Sequence, residues 1–139
     1  MSAPADAENR LALARGRIAR AVLDDGAPVT LGTVSLRPHQ CDAVARLRRV
    51  LHEHGGALLA DDAGLGKTYV ALALACEARC PLVVAPAGLR TMWHEAMLAA
   101  GMYIEIVTHE SLSQRGARAP TDVPDFVIVD EAHHARNPS

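Results

Sequence analysis

Eight consecutive residues have the types and spacing of a phosphate-binding loop. They read Asp-Asp-Ala-Gly-Leu-Gly-Lys-Thr over residues 61–68, after an apolar run at 56–60 and before a helix-forming run at 69–75. Glycines let backbone N–H groups turn toward an anion, and a helix N-terminus adds partial positive charge. In this arrangement Lys67 would reach the β- and γ-phosphates of a nucleotide, and Thr68 would hold Mg²⁺.

The loop departs from the general pattern at its first position, where Asp61 stands in place of the usual glycine. The composition nevertheless favours a phosphate site. Lys67 is the only lysine among the 14 lysine and arginine residues. A compact ammonium and a planar guanidinium do not contact phosphate oxygens in the same way. A nucleotide site is therefore favoured over a solvated lysine beside a glycine-rich turn.

A second polar cluster, Asp130 and Glu131, directly follows the apolar run at 126–129. An aspartate in this place is the Mg²⁺-side carboxylate of phosphate-loop enzymes. Glu131 would orient and deprotonate an attacking water, whereas a simple polar turn is the alternative for the pair. Two histidines follow, and a hydrogen-bonding or coupling role for His133 is more economical than metal binding by both.

The elements that must position these residues follow from hydrophobic periodicity. Strands are predicted at 56–60, 82–86, 103–107 and 126–129, with a short extended piece at 29–34. Helices are predicted at 5–24, from Pro38 to the stop at Gly55, at 69–75, at 88–101 and at 108–112, and residues 115–124 are predicted as a loop. This alternation indicates an α/β fold, a parallel sheet with helices on both faces. Ligands bind at the C-terminal strand ends of such sheets, so we expect the two polar clusters to converge on one nucleotide.

Gln40 falls in the first turn of the helix that Pro38 begins. A glutamine amide can pair with N6 and N7 of adenine in a bidentate arrangement. Taken alone, a surface glutamine is the more ordinary interpretation of this residue.

Composition limits the classes of function. The net charge is −2, with eight arginines against six acids in residues 1–56 and six basic residues against ten acids in 57–139. The charge therefore creates no general attraction for nucleic acid. Aromatic residues make up 3% of the chain, too few for a base-stacking platform. Three cysteines without a matching ligand set do not predict zinc. With neither a membrane-spanning run nor a signal peptide, the sequence predicts a cytoplasmic protein.

Five motifs in order, LRPHQ, DDAGLGKT, LVVAPAGLRTMWHEAM, VTHESLS and DFVIVDEAHHARNPS, resemble Swi/Snf-type DNA translocases, which are DEAH-box helicases of superfamily two. The resemblance covers residues 36–139. It implies part of the first RecA-like lobe of a P-loop ATPase, incomplete at its C-terminus, preceded by an N-terminal helical extension at 1–35. It also implies ATP and Mg²⁺ as cofactors and double-stranded DNA contacted through its backbone. The arginine-rich, lysine-poor composition favours a bacterial protein, for which DNA binding predicts a nucleoid-associated location in the cytoplasm. A protein or protein–DNA complex would be the target of remodelling.

The resemblance also implies roles for individual residues. Gln40 would read adenine, and the nucleotide would contact Asp62, Ala63, Gly64, Leu65, Gly66, Lys67 and Thr68. Thr68 and Asp130 would hold Mg²⁺, and Lys67, Asp130 and Glu131 would be catalytic. His133 would couple the nucleotide state to DNA, and Pro86, Ala87, Arg90 and Thr108 would contact the DNA backbone. Asp62 and Ala63 replace the family's usual Glu and Met, and Trp93 matches its core tryptophan.

Members of this family bind ATP between two RecA-like lobes, and the second lobe supplies arginines. In the sheet of this family, another strand lies between the strands that correspond to 56–60 and 126–129. That strand comes from a later part of the sequence. We therefore expect the 139 residues to be part of a longer protein, to aggregate or fold poorly alone, and to show negligible ATP turnover. The motor of a restriction or RNA-directed DEAH helicase, and a non-catalytic nucleotide-binding module, are the alternatives. A metabolic phosphate-loop kinase is disfavoured because LRPHQ and DEAH would have no role in it.

Overall fold

A computed structural model describes residues 29–60, 66–114 and 120–132. The helix predicted at 5–24 lies outside these ranges. The described elements follow in chain order. They are β1 (Thr30–Leu31), β2 (Val34–Ser35), α1 (Pro38–His54), α2 (Lys67–Ala75), β3 (Pro81–Ala85), a 3-10 turn (Ala87–Leu89), α3 (Arg90–Ala99), β4 (Glu105–Thr108), α4 (His109–Leu112) and β5 (Phe126–Val129).

The centre of the fold is a parallel sheet with the strand order β4-β3-β5. Val83 in the middle of β3 pairs with Ile106 of β4 and with Ile128 of β5. From Leu82 to Ala85 every residue of β3 is buried, as expected for a central strand of purely apolar residues. Helices flank the sheet, which confirms the α/β prediction. None of the helices in the described ranges is long and apolar enough to cross a membrane.

Helix α1 begins and ends where the sequence predicts. Pro38 occupies its first turn, and Gly55 ends it in the left-handed conformation at φ 72°. Val44 and Leu47 are buried on the predicted inner face. On the outer face, Arg48 pairs with Glu77, just beyond the end of α2. This pair helps to hold α1 against α2.

The strand predicted at 56–60 is wrong, because these residues pair with no strand in the part of the chain that the structure describes. Leu59 still packs against the core, but the side chain of Leu58 is 81% exposed. An isolated apolar run needs a neighbouring strand to satisfy its backbone N–H and C=O groups as a strand. Similarly, β4 begins at Glu105 and not at Tyr103, which is 76% exposed.

In the described sheet β5 is an edge strand, on the opposite side of β3 from β4. Among the described residues it pairs only with β3. Val127 and Val129 are each 46% exposed. An apolar edge of this kind is a template for pairing with other chains. The expectation that the isolated chain aggregates therefore has a structural basis in β5, and it remains a prediction.

Asp125 fixes the start of β5 beside the start of β3. Its carboxylate accepts hydrogen bonds from the backbone N–H groups of Arg79 at 2.9 Å and Cys80 at 2.8 Å. Its own N–H donates to the carbonyl of Cys80 at 3.1 Å. The N–H bonds of Arg79 and Cys80 hold the pKa of the Asp125 carboxyl below its ordinary value of 3.8. The register of β5 is thus set partly by one ionised side chain.

We expect the stability of the fold to depend on pH through Asp125. Because the pKa is lower in the folded state, the stabilisation is complete well above 3.8 and disappears as the pH falls through the folded-state value. Urea unfolding between about pH 6 and about pH 3 should therefore show a flatter pH dependence for Asp125→Asn than for the wild type. Asp122→Asn makes the same change of charge at an exposed position three residues earlier and is the control. Equal pH dependence in wild type and Asp125→Asn would contradict this role.

Candidate functional site

The N-terminus of α2 forms one wall of the site. Gly66 precedes the helix in the left-handed conformation, at φ 74° and ψ 35°, and no side chain within the described ranges caps this end. The carbonyl of Gly66 accepts the N–H groups of Tyr69 at 3.1 Å and Val70 at 3.4 Å. The first turn of the helix contains no acidic residue, and a helix N-terminus carries partial positive charge. Lys67 and Thr68 are the first two residues of the helix.

Gln40 is tied to the loop end and is not a surface residue. Its side chain is buried, with 7% exposed. The amide Oε1 accepts the N–H of Arg37 at 2.8 Å, and Nε2 donates to the carbonyl of Gly66 at 3.3 Å. The surface-glutamine interpretation is therefore wrong. Gln40 joins the start of α1 to the start of α2, and adenine contact remains a prediction.

The two polar clusters meet on one cavity of about 770 Å³. Lys67 and Thr68 from α2 line it, and so do Asp130 and Glu131 from the end of β5. The remaining wall is mostly apolar. It is made by α1, the segment 55–59, Ala71 and Leu74 of α2, Trp93 of α3, and β5 with the residues that flank it. The convergence of the clusters at a strand end is as expected for a parallel sheet.

Both carboxylate oxygens, the backbone N–H and the backbone carbonyl of Asp130 all make hydrogen bonds. Its Oδ2 accepts the indole N–H of Trp93 at 3.0 Å, and its Oδ1 accepts the N–H of Glu131 at 2.9 Å. Its own N–H donates to the carbonyl of Val84 at 2.8 Å. Its carbonyl lies 2.9 Å from Nε2 of His109. Since a carbonyl only accepts, this nitrogen of His109 carries the proton.

Two residues that line the cavity carry oxygen atoms of the type that binds Mg²⁺. Asp130 supplies carboxylate oxygen and Thr68 hydroxyl oxygen, which are the hard ligands that Mg²⁺ prefers. The hydroxyl Oγ1 of Thr68 lies 3.8 Å from the sulfur of Met92. Thioether sulfur is a weak acceptor, so this contact would not prevent the hydroxyl from binding a metal ion. Within the described ranges no three His, Cys, Asp or Glu residues are grouped to hold a metal. Mg²⁺ would therefore depend on waters and phosphate oxygens for its other ligands.

Glu131 adopts a strained backbone conformation at φ 51°. Such a left-handed conformation costs about 1–3 kcal/mol for a non-glycine residue and is common at functional sites. It turns the chain at the end of β5 and places Glu131 on the same cavity as Lys67. Asp130 and Glu131 lie in a turn directly after β5, and their catalytic role remains a prediction.

The segments predicted to contact DNA lie together at the C-terminal ends of β3 and β4. Thr108 caps α4 by accepting the N–H of Ser111 at 3.1 Å. Glu110 accepts the N–H of Ala87, with its two carboxylate oxygens at 3.3 and 3.1 Å. The N–H of Glu110 itself and then that of Ala87 hold the pKa of the Glu110 carboxyl below its ordinary value. A phosphate contact to the N–H of Ala87 would therefore have to displace Glu110.

Several predicted site residues fall outside the described ranges. These are Asp62, Ala63, Gly64, Leu65 and His133. Pro86 precedes the 3-10 turn and Arg90 begins α3, both at the end of β3. Sequence reasoning missed the hydrogen bonds of three residues that organise the site, namely Trp93, His109 and Glu110. Helical periodicity had marked Trp93 as a core residue, and no local pattern could indicate its partner on β5.

Comparison with known proteins adds no assignment, since no protein-family model and no solved structure matches the chain. The fold and the site together define an α/β domain whose polar residues collect at the C-terminal ends of parallel strands.

Proposed function

We propose that this chain is the nucleotide-binding part of the first ATPase lobe of a Swi/Snf-type translocase on double-stranded DNA. The observation that carries the proposal is the shared cavity of Lys67, Thr68, Asp130 and Glu131. The described fold is compatible with part of a RecA-like lobe. Among P-loop proteins, the five ordered sequence motifs favour the Swi/Snf-type translocases.

Each residue of the cavity has a distinct proposed task. The ammonium of Lys67 neutralises negative charge on the β- and γ-phosphates, next to the N-terminus of α2. Thr68 and Asp130 hold Mg²⁺, which when bound supplies positive charge against the phosphate oxygens. Glu131 orients a water and accepts its proton. Gln40 is not part of the cavity wall; its proposed task is to hold the end of the loop at Gly66 and to pair with adenine.

The proposed DNA contacts are Pro86, Ala87, Arg90 and Thr108. All four lie at the ends of β3 and β4 or in the turn that follows. Contacts to phosphates would make DNA affinity fall steeply with salt and depend little on sequence. The bacterial nucleoid is the proposed place of action, because the arginine-rich, lysine-poor composition favours a bacterial protein and the proposed substrate is DNA.

Turnover is assigned to an assembly with a second RecA-like lobe. Within the described residues, the free edge of β5 and residues 56–59 of the unpaired segment face one cavity. This gap favours, as a second candidate, a non-catalytic nucleotide-binding module. The motor of a restriction or RNA-directed helicase would have the same cavity and differ in the polynucleotide that stimulates it.

The experiment that tests the proposed function measures binding and turnover on the same sample. A fluorescent adenine nucleotide should bind in a Mg²⁺-dependent way, while phosphate release by the isolated chain stays negligible. The chain joined to a second lobe should hydrolyse ATP at about 1 s⁻¹ or more, stimulated by double-stranded DNA. Binding without turnover in that protein would favour the non-catalytic module, and stimulation by RNA would favour the RNA-directed motor. No nucleotide binding at all would contradict the proposal.

A further inference from the structure

Trp93 makes a side-chain contact that its place in the core does not require. It is the only tryptophan of the chain and is 2% exposed. Its indole N–H donates to Oδ2 of Asp130 at 3.0 Å, from the middle of α3 to the end of β5. A phenylalanine would fill much of the same apolar volume but would offer no donor. The N–H is therefore the feature of Trp93 that needs an explanation.

The backbone of Asp130 does not depend on this contact. Its N–H donates to the carbonyl of Val84 at 2.8 Å, which continues the pairing of β5 with β3. Its carbonyl accepts the ring N–H of His109 at 2.9 Å. With the main chain held on both sides, the indole acts on the carboxylate alone. It holds Oδ2 of the carboxylate, while the N–H of Glu131 holds Oδ1 at 2.9 Å.

Helix α3 is also held in place without Asp130. The N–H of Thr33 donates to the carbonyl of Ala99 at 2.9 Å, and the hydroxyl of Thr33 donates to the same oxygen at 3.0 Å. Ala96 and Met97 are buried on the same helix. Loss of the indole N–H would therefore leave α3 where it is. The indole N–H of Trp93 is therefore carried by a helix whose position does not depend on Asp130.

We propose that Trp93 is a positioning residue that orients the carboxylate of Asp130 for Mg²⁺. The inference rests on the proposed function. An ionised carboxylate oxygen accepts more than one hydrogen bond or ligand, so Oδ1 and Oδ2 each keep capacity for the ion or for its waters. The indole restricts rotation of the carboxylate, so that this capacity faces the cavity shared with Thr68. Outer partners of metal ligands have this function in many metal sites.

The first experiment replaces Trp93 with phenylalanine in the full chain. Affinity for a fluorescent ADP analogue is measured by direct excitation of the analogue over a series of Mg²⁺ concentrations. Trp93→Phe should require about tenfold more Mg²⁺ for half-maximal binding. Affinity measured in EDTA, where no Mg²⁺ takes part, should be unchanged. This split between Mg²⁺-dependent and Mg²⁺-independent binding distinguishes positioning from a general loss of structure, which would weaken both.

The second experiment uses the emission of the only tryptophan and needs no change at Trp93. Removing the acceptor in Asp130→Ala should shift the emission of Trp93 in the absence of nucleotide, because the environment of the indole N–H changes. Asp122→Ala removes the same charge at an exposed position and should leave the emission unchanged. Adding Mg²⁺ and ADP to the wild type should also shift the emission, and adding ADP in EDTA should have a smaller effect.

The possible results distinguish the role of Trp93 from the proposed nucleotide-binding function. If the wild type binds the nucleotide with Mg²⁺ but Trp93→Phe has the same Mg²⁺ requirement, the role of Trp93 is wrong and the proposed function stands. Unchanged emission in Asp130→Ala would also overturn the role of Trp93, even if Trp93→Phe does not fold. If the wild type binds no nucleotide, both the proposed function and the role of Trp93 are wrong.

Discussion

Replacing Lys67 with alanine should lower the affinity for Mg·ATP by about 100-fold. Lys67 is the only lysine of the chain, and it lies on the first turn of α2, facing the cavity that Asp130 and Glu131 also line. A hydrogen bond to a charged group contributes about 3 kcal/mol at the upper end, and each 1.4 kcal/mol corresponds to about tenfold in affinity. Titration of a fluorescent ATP analogue measures the change directly.

Two variants control this experiment. Arg79→Ala removes a positive charge at an exposed position after α2 and should bind nucleotide as the wild type does. Lys67→Arg keeps the charge but replaces the compact ammonium with a planar guanidinium, so we expect only partial recovery of affinity. If Lys67→Ala and Arg79→Ala had equal effects, Lys67 would contribute only to the overall charge, and the phosphate-binding role would be wrong.

Replacing Gly66 with alanine should destabilise the fold by about 2 kcal/mol. The residue has φ +74°, and an added Cβ would lie 2.2 Å from Nε2 of Gln40. The amide is the end of a flexible side chain and can move, but moving it breaks its bond to the carbonyl of Gly66. The left-handed conformation costs about 1 kcal/mol for alanine, and the lost hydrogen bond of a buried amide about 1 kcal/mol more. Urea unfolding monitored by circular dichroism measures the difference.

Two other glycines separate these contributions. Gly55 has φ +72°, but an added Cβ would meet no atom within 4 Å, so Gly55→Ala reports the backbone cost alone. Gly88 also has open space and no positive φ, so Gly88→Ala should be close to neutral. Gly66→Ala should be the least stable of the three. Equal stability of Gly66→Ala and Gly55→Ala would show that Gln40 yields without cost and does not anchor the loop.

The elements that the sequence predicts well are those with local signals at both ends. Pro38 and Gly55 mark the two ends of α1, and the uninterrupted apolar residues of β3 mark a central strand. The short helix α4 also has its local signal, the cap provided by Thr108. Signals of this kind lie within a few residues of the backbone groups that they satisfy, so they are visible without the fold.

The strand predicted at 56–60 failed for the opposite reason. An apolar run has the composition of a strand, but becomes one only when a neighbour pairs with its backbone. Among the described residues no strand lies beside 56–60, and Leu58 remains exposed. Strand pairing is a property of two segments, so composition in one of them does not decide it.

For the site, the sequence by itself determined which residues have the chemistry. Lysine and threonine at the start of a helix, and adjacent acids after a strand, follow from residue type and order, and a parallel sheet brings strand ends to one edge. Only the tertiary structure decided how these groups are held. It placed Gln40 against Gly66, Trp93 against Asp130 and Glu110 against Ala87. These contacts join residues 23 to 37 positions apart, and the direction of each donor depends on helix packing that no local pattern encodes.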